Sequence, residues 1–466
     1  MSLRPRVITD TDIQTSLVAP VSNRIAAMIG TATWGPVNEV RSVNRLSQFQ
    51  KRFGTDKAGT DITGIKGADL FFRNGNNLKF VRITDGTDAK AEVTLQNDTT
   101  DVLKLEAYYT GTYGNNILVT VQENDSARNV IISDGTTTER YTNAGQGYET
   151  NEDIVTAINN SSQLVTASVE GGNETTNLVD ATSETQFTGG EDGENVSDSE
   201  YETAFDDVLY KESFNVLVIP GKSSDSFQNI ITSKVESRAS DERKFSRYIT
   251  GIDVDETLNN ISQRTTTSFR TTLVAPNVGD YVNRADNEEY TLDGSYLACA
   301  YAGVVVSLPL QVAATHENIS IPNVSVNSSS GKRLYSKLEQ EELLETSVAP
   351  IADINEQLQI IRGVTTIADT SNARYEEVVV DIIDEVTNQV EGYLNTVLGK
   401  PNTVSRRELY SQRVDAILEV LKNQGIIESY QPSTVEQGES PDTIDAEIVI
   451  KPTYNTNFVN LSITIN

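Results

Sequence analysis

The sequence predicts a multidomain α+β chain, on three observations. Near the C-terminus, residues 359–430 hold two amphipathic helices between short β-branched runs. Residues 23–86 and 191–350 alternate strand-like and helix-like apolar runs, the pattern of one α/β layer split in two. Between residues 87 and 190 the texture changes to short alternating runs broken by turn pairs, which marks an inserted β-rich domain. With 466 residues there is room for several domains at roughly 100–200 residues each.

In chain order, residues 1–22 are polar and read as extended, with Pro5 and Pro20 and no helical period. Residues 25–30 form a buried strand leading into the Trp34-Gly35-Pro36 turn, where Trp34, the sole tryptophan, has a packing role. A short helix over 43–53 (Leu46, Phe49, Phe53) stops at Gly54; a second covers 67–74 and a strand 77–83. In the insertion, strands are expected at 91–95, 103–107, 117–121 and 130–132, separated by Asp-Gly, Gly-Asn and Asn-Asp pairs, with one helix at 152–159.

The main domain resumes with a helix over 199–209, a strand over 215–219 ending in Pro220-Gly221, and a helix over 226–238. Residues 292–306 are almost uniformly apolar or small and read as a buried helix; 319–326 read as loop and 334–345 as an exposed helix. The C-terminal domain, 351–456, opens with a strand over 359–367 bent at Gly363. Residues 375–398 then set Val379, Ile382, Val386, Val390 and Leu394 on one helical face, and Gly399 and Pro401 end that helix. Ser405 and Glu408 have capping-box spacing and open a second helix over 406–424, with Leu409, Val414, Ile417, Leu418 and Leu421 inward. The final segment, 457–466, alternates Val459, Leu461, Ile463 and Ile465 with polar residues, as a strand with one apolar face does.

The formal charge of −30 excludes nucleic-acid binding, because phosphate contacts need clustered Lys and Arg. Acids spread along the whole chain suit a protein working in concentrated salt, where their mutual repulsion is screened away. No run of 18 apolar residues exists to cross a membrane. Catalytic motifs fail on inspection. Gly221-Lys222-Ser223 follows a strand, but a phosphate loop needs a glycine where Val216 stands. Gly189-Gly190-Glu191-Asp192-Gly193 is acidic and would repel phosphate, so it reads as a domain hinge. His316 has no second histidine or nearby cysteine with which to share a metal, and Cys299 sits in the apolar 296–310 run as a small buried hydrophobe. The sequons at Asn195, Asn260, Asn318, Asn323 and Asn460 fit chance in a chain this rich in Asn, Ser and Thr. No active site, cofactor or metal site is expected.

The order of several weak motifs carries a resemblance. Arg362-Gly363-Val364-Thr365-Thr366-Ile367, the long helix, Lys400-Pro401-Asn402, the second helix and Asn423-Gln424-Gly425-Ile426 resemble the C-terminal domain of contractile tail sheath proteins. Gly35-Pro36-Val37, Phe53-Gly54, Phe71-Phe72-Arg73-Asn74-Gly75 and Val81-Arg82-Ile83 resemble that family's N-terminal half, and Tyr109 to Asn115 a motif of its middle. The resemblance implies a non-enzymatic subunit of a helical homopolymer around an inner tail tube. That polymer meets baseplate and terminator proteins and contracts to drive the tube through a cell envelope. It places the protein in a virion tail or tailocin particle assembled in the host cytoplasm, and the charge points to a halophilic host. It also implies terminal arms, 1–22 and 457–466, that add strands to neighbours through Val7 and Ile8 and through Val459, Leu461, Ile463 and Ile465. Asp381, Asp384 and Glu385, with Glu376, Glu377 and Glu391, lie on or beside the polar face of the long helix with no base between them; these would meet the tube. The competing reading is an acidic surface-layer or adhesin protein, which the two-helix C-terminal core disfavours.

Overall fold

The computed structural model describes residues 24–58, 62–254, 256–325 and 334–457. Its centre is an eight-stranded sheet. The spatial order is Gln357–Ile360, Val348–Ile354, Thr271–Ala275, Arg247–Gly251, Val216–Val218, Ala26–Gly30, Leu78–Arg82 and Val40–Val43. The inner strands run parallel and each edge strand is antiparallel to its neighbour. A parallel sheet must be covered on both faces, so its strands read as unbroken apolar runs. Ala26–Gly30 is such a strand. All five residues are buried; Ala26 and Met28 enter the core on one face, Ala27 and Ile29 the core on the other.

Helices Thr63–Phe72 and Gly294–Ser307 cover the first face, and Asp198–Ala204 and Asp225–Asp241 the second. Gly294 through Val306 are all buried, as the apolar run predicts. That helix sits on the sheet through a glycine pair. A Cβ at Gly251 would lie 2.0 Å from the Gly294 carbonyl carbon, so neither position admits a side chain.

The segment 90–186 folds as two antiparallel sheets with their own apolar core and the helix Asn151–Ser161, capped by Thr150 accepting from the Asp153 N–H. Its turns are the expected ones: Asp98 and Asp125 take positive φ at two hairpin tips. An antiparallel bridge, Ala89 to Glu191, closes the insertion where it leaves and re-enters the main body. Trp34 roofs the insert core, its ring 5.4 Å from Tyr109 and 5.7 Å from Tyr113.

The C-terminal unit packs helices Glu377–Asn395 and Val404–Asn423 together. It adds a ribbon, Ile427–Tyr430 with Ile450–Pro452, and a hairpin, Thr434–Gln437 with Ile444–Glu447. Several expectations change here. The expected boundary at residue 350 falls inside a strand of the central sheet. The expected strand 359–367 ends at Ile360, after which Val364 makes only an isolated bridge with Glu376. Thr403, not Ser405, precedes the second helix, without a side-chain cap. Leu409 is exposed, and Tyr410 takes the inward position, because it stands four residues before Val414 and seven before Ile417 on the buried face, whereas Leu409 is five before Val414 and turns away. Residues 319–326, expected as loop, include the strand Asn323–Ser325. Among the described residues, no helix is long and apolar enough to cross a membrane.

Candidate assembly site

The acidic face of the long helix does not face solvent. Arg247, at the start of a central strand, grips Asp381 with both arms of its fork, Nε to Oδ1 at 2.7 Å and Nη2 to Oδ2 at 3.1 Å. Its third nitrogen, Nη1, donates to Glu377 Oε2 at 2.9 Å and to Thr272 Oγ1 at 3.0 Å. One turn on, Arg270 holds Asp384 through two bonds of 2.8 and 2.9 Å. Arg24 reaches Asp381 from the N-terminal side, Arg362 pairs with Glu376, and Arg243 pairs with Glu391. This corrects the expectation for Asp381 and Asp384: both are turned onto arginines of their own chain. Glu385 is half-buried and accepts from Gln389.

The electrostatics follow from the pairing. Burial alone would raise the Asp381 pKa, but Arg24 and Arg247 outweigh it and hold the carboxyl below its usual range. Burial wins at Glu377, whose pKa is raised despite Arg247, and at Asp384, raised despite Arg270. Three arginines thus face three acids in a site of 0–13% side-chain exposure, where an unpartnered charge would be costly. Sequence analysis missed the arginines, although a signal was present. Arg247 and Arg270 stand at the heads of apolar runs, and an arginine in a doubly covered strand requires a buried partner.

Both ends of the described chain converge on this region. Arg24 donates to the carbonyls of Val305 (3.0 Å) and Leu310 (3.2 Å) as well as to Asp381. Asn455 donates to the carbonyl of Gln311 at 3.3 Å, and Asn457 to Glu376 Oε1 at 3.0 Å. Val7, Ile8, Val459, Leu461, Ile463 and Ile465, the residues expected to exchange strands, lie outside the described residues. Nearby, the ribbon Ile427–Tyr430 with Ile450–Pro452 has two strands among the described residues. A two-stranded ribbon presents unpaired backbone along its edges.

The second helix divides its charge between two flanks. Glu408, Asp415 and Glu419 share one; Asp415 accepts from the Ser433 N–H at 2.7 Å and Glu419 from the Tyr430 hydroxyl at 3.1 Å. Arg406, Leu409 and Arg413, spaced i, i+3, i+7, share the other. Among the described residues neither arginine has a carboxylate partner, and Leu409 is exposed, as are Leu398 and Val404 elsewhere in this unit.

The remaining candidates have structural partners. Lys222 pairs with Asp198 at 2.6 Å, and the Gly221 N–H is held by Ser295 Oγ at 2.7 Å, which makes that loop a packed turn. Cys299 is fully buried, and burial raises its thiol pKa far above the usual value. Asp192, in the acidic hinge, accepts from the Thr112 N–H at 2.6 Å and pairs with Lys57 at 3.2 Å, locking the insert to the body. Arg82, fully buried, ties the same joint by donating to the carbonyls of Gly35 and Thr110, each at 2.7 Å.

Neither a family model nor a curated protein matches the sequence. Solved structures match it over nearly its whole length. The sheath tail protein of Listeria innocua superposes with a TM-score of 0.68 at 17% identity, covering 94% of this chain and 93% of that one. The sheath tail protein of Desulfitobacterium hafniense gives 0.65 at 14%, covering 94% and 98%. A chain of the anti-feeding prophage helical sheath in its contracted state gives 0.55 at 11%, covering all of both. The chain has the fold of tail sheath proteins.

Proposed function

We propose that this protein is the structural subunit of a contractile tail sheath. It polymerises as a helical tube around an inner tail tube and contracts to drive that tube through a target envelope. The observation that carries the proposal is the match of 94–100% of the chain to sheath proteins, insert and C-terminal unit included. The partners are further copies of the chain, the inner tube, and baseplate and terminator proteins at the ends. The setting is a virion tail or tailocin particle of a halophilic host, assembled in its cytoplasm.

Such a device requires a body that transmits force without deforming. The doubly covered sheet and the arginine–acid cluster, which bolts the C-terminal unit to it, serve that need. It also requires neighbours that stay joined as bodies slide. Strand addition by residues 1–22 and 457–466 to a neighbour's ribbon would do this through main-chain bonds, which are indifferent to side-chain repacking. Contact with the tube passes to the flank of Arg406, Leu409 and Arg413, since the acids of the long helix are engaged internally.

Negative-stain microscopy of the purified protein tests the proposal. Striated tubes are expected. Flat two-dimensional lattices would favour the surface-layer alternative, and discrete particles at every salt concentration would refute a polymer.

A further inference from the structure

We infer that one anchor fixes the exit of both terminal segments from the subunit, with Arg24 and the pair Asn455 and Asn457 as its positioning residues. This rests on the sheath reading for its purpose, but its geometry stands alone. Arg24 and Asn455 donate to the carbonyls of consecutive residues, Leu310 and Gln311. Arg24 and Asn457 also bond two acids five positions apart at the start of the long helix, Asp381 and Glu376. Five helical residues span only about 7.5 Å. The two ends of the described chain, 433 positions apart, are therefore gathered at one spot, against one turn and one helix end.

Each contact is built to hold. Arg24 is 5% exposed and its guanidinium donates through two nitrogens to three oxygens, a fork that a lysine could not reproduce. Glu376 is itself pinned by Arg362 Nε at 2.9 Å, so Asn457 bonds a fixed acceptor. The anchor is in turn tied to the central sheet, because Asp381 also takes the fork of Arg247.

The consequence is directional. Fully extended, residues 1–23 and 458–466 would span up to about 83 Å and about 32 Å. A segment with a fixed root samples a smaller volume and meets its target at higher effective concentration. With both roots at one place, load arriving through either segment enters the same helix and reaches the sheet through Arg247. Displacing one root therefore displaces the other.

Paired spin labels test this on the full chain: Ser22→Cys and Thr456→Cys, with Cys299→Ala, diluted tenfold in unlabelled protein so that only distances within one subunit register. One narrow distance is expected in the parent. Arg24→Gln, and separately Asn455→Ala with Asn457→Ala, should broaden the distribution at least twofold, and Arg24→Lys should fall between. The asparagine pair lies outside the apolar core, so it remains informative if Arg24→Gln fails to fold. Equal widths in parent and asparagine variant, at unchanged melting temperature, would overturn the anchor. A narrow distance in a protein that forms no tubes would support the anchor and sink the sheath reading.

Discussion

Arg247 and Asp381 are 134 positions apart in sequence and meet in a two-bond fork of 2.7 and 3.1 Å between the central sheet and the long C-terminal helix. Apolar contact alone would let a helix slide on a sheet. A bidentate pair has one geometry, so it fixes rotation and register together.

Breaking that fork has a defined pH signature. Asp381→Asn should destabilise the protein by about 3–5 kcal/mol at neutral pH, because Arg24 and Arg247 lose their shared counter-charge. The depressed folded pKa of Asp381 lies below the unfolded value of about 3.9. Its contribution is therefore complete above about pH 4 and fades as pH falls through the folded value. Glu377 and Asp384, with raised pKa values, act oppositely: the folded state gains stability as pH falls through their folded values. Denaturant melts from pH 3 to 7 should show the Asp381→Asn penalty constant above about pH 4 and shrinking below it. A penalty that grows on acidification would contradict this assignment.

Replacing residues 90–190 by a short Gly/Ser linker should leave the main sheet folded, since the insertion has its own core and its ends are bridged at Ala89 and Glu191. Arg82 would lose its bond to Thr110, at a cost of about 1–3 kcal/mol. Trp34 would lose Tyr109 and Tyr113, so its fluorescence should shift to the red. Loss of cooperative melting would show that the sheet depends on the insert.

With 67 acids against 37 bases, and many of those bases paired internally, the outer surface is strongly acidic. Melting temperature and polymer length should rise from low to molar salt, where the screening length shrinks to about 3 Å. If neither changes, the halophilic assignment fails.

Leu461→Pro with Ile463→Pro should yield a soluble monomer with the parent's melting temperature, because proline removes the N–H groups a neighbouring strand would accept. Regular tubes from this variant would place the last strand within its own subunit.

Arg406→Glu with Arg413→Glu should weaken inner-tube binding by roughly tenfold at low salt, two surface pairs at up to about 1 kcal/mol each. The loss should fade at molar salt while sheath polymerisation persists. Unchanged tube affinity would exclude this flank.

Local signals carried far in this sequence. The 3.6-residue period located the helix Glu377–Asn395, the apolar run foretold the buried Gly294–Ser307, and turn pairs set off the β-rich insertion. These succeed because a helix face, a buried run and a hairpin are each decided within about a dozen residues. Strand order and charge pairing are not. Val216–Val218 is three residues long, and only its neighbours make it a central strand. Asp381 and Asp384 have the same local pattern as acids on a solvated helix face. Their environment is set by arginines 134 and 114 positions away, which approach only once the sheet and the C-terminal unit have docked. Sequence period shows which face of a helix is polar; the tertiary fold decides whether water or a buried counter-charge meets it, because electrostatic partners are chosen by distance in space.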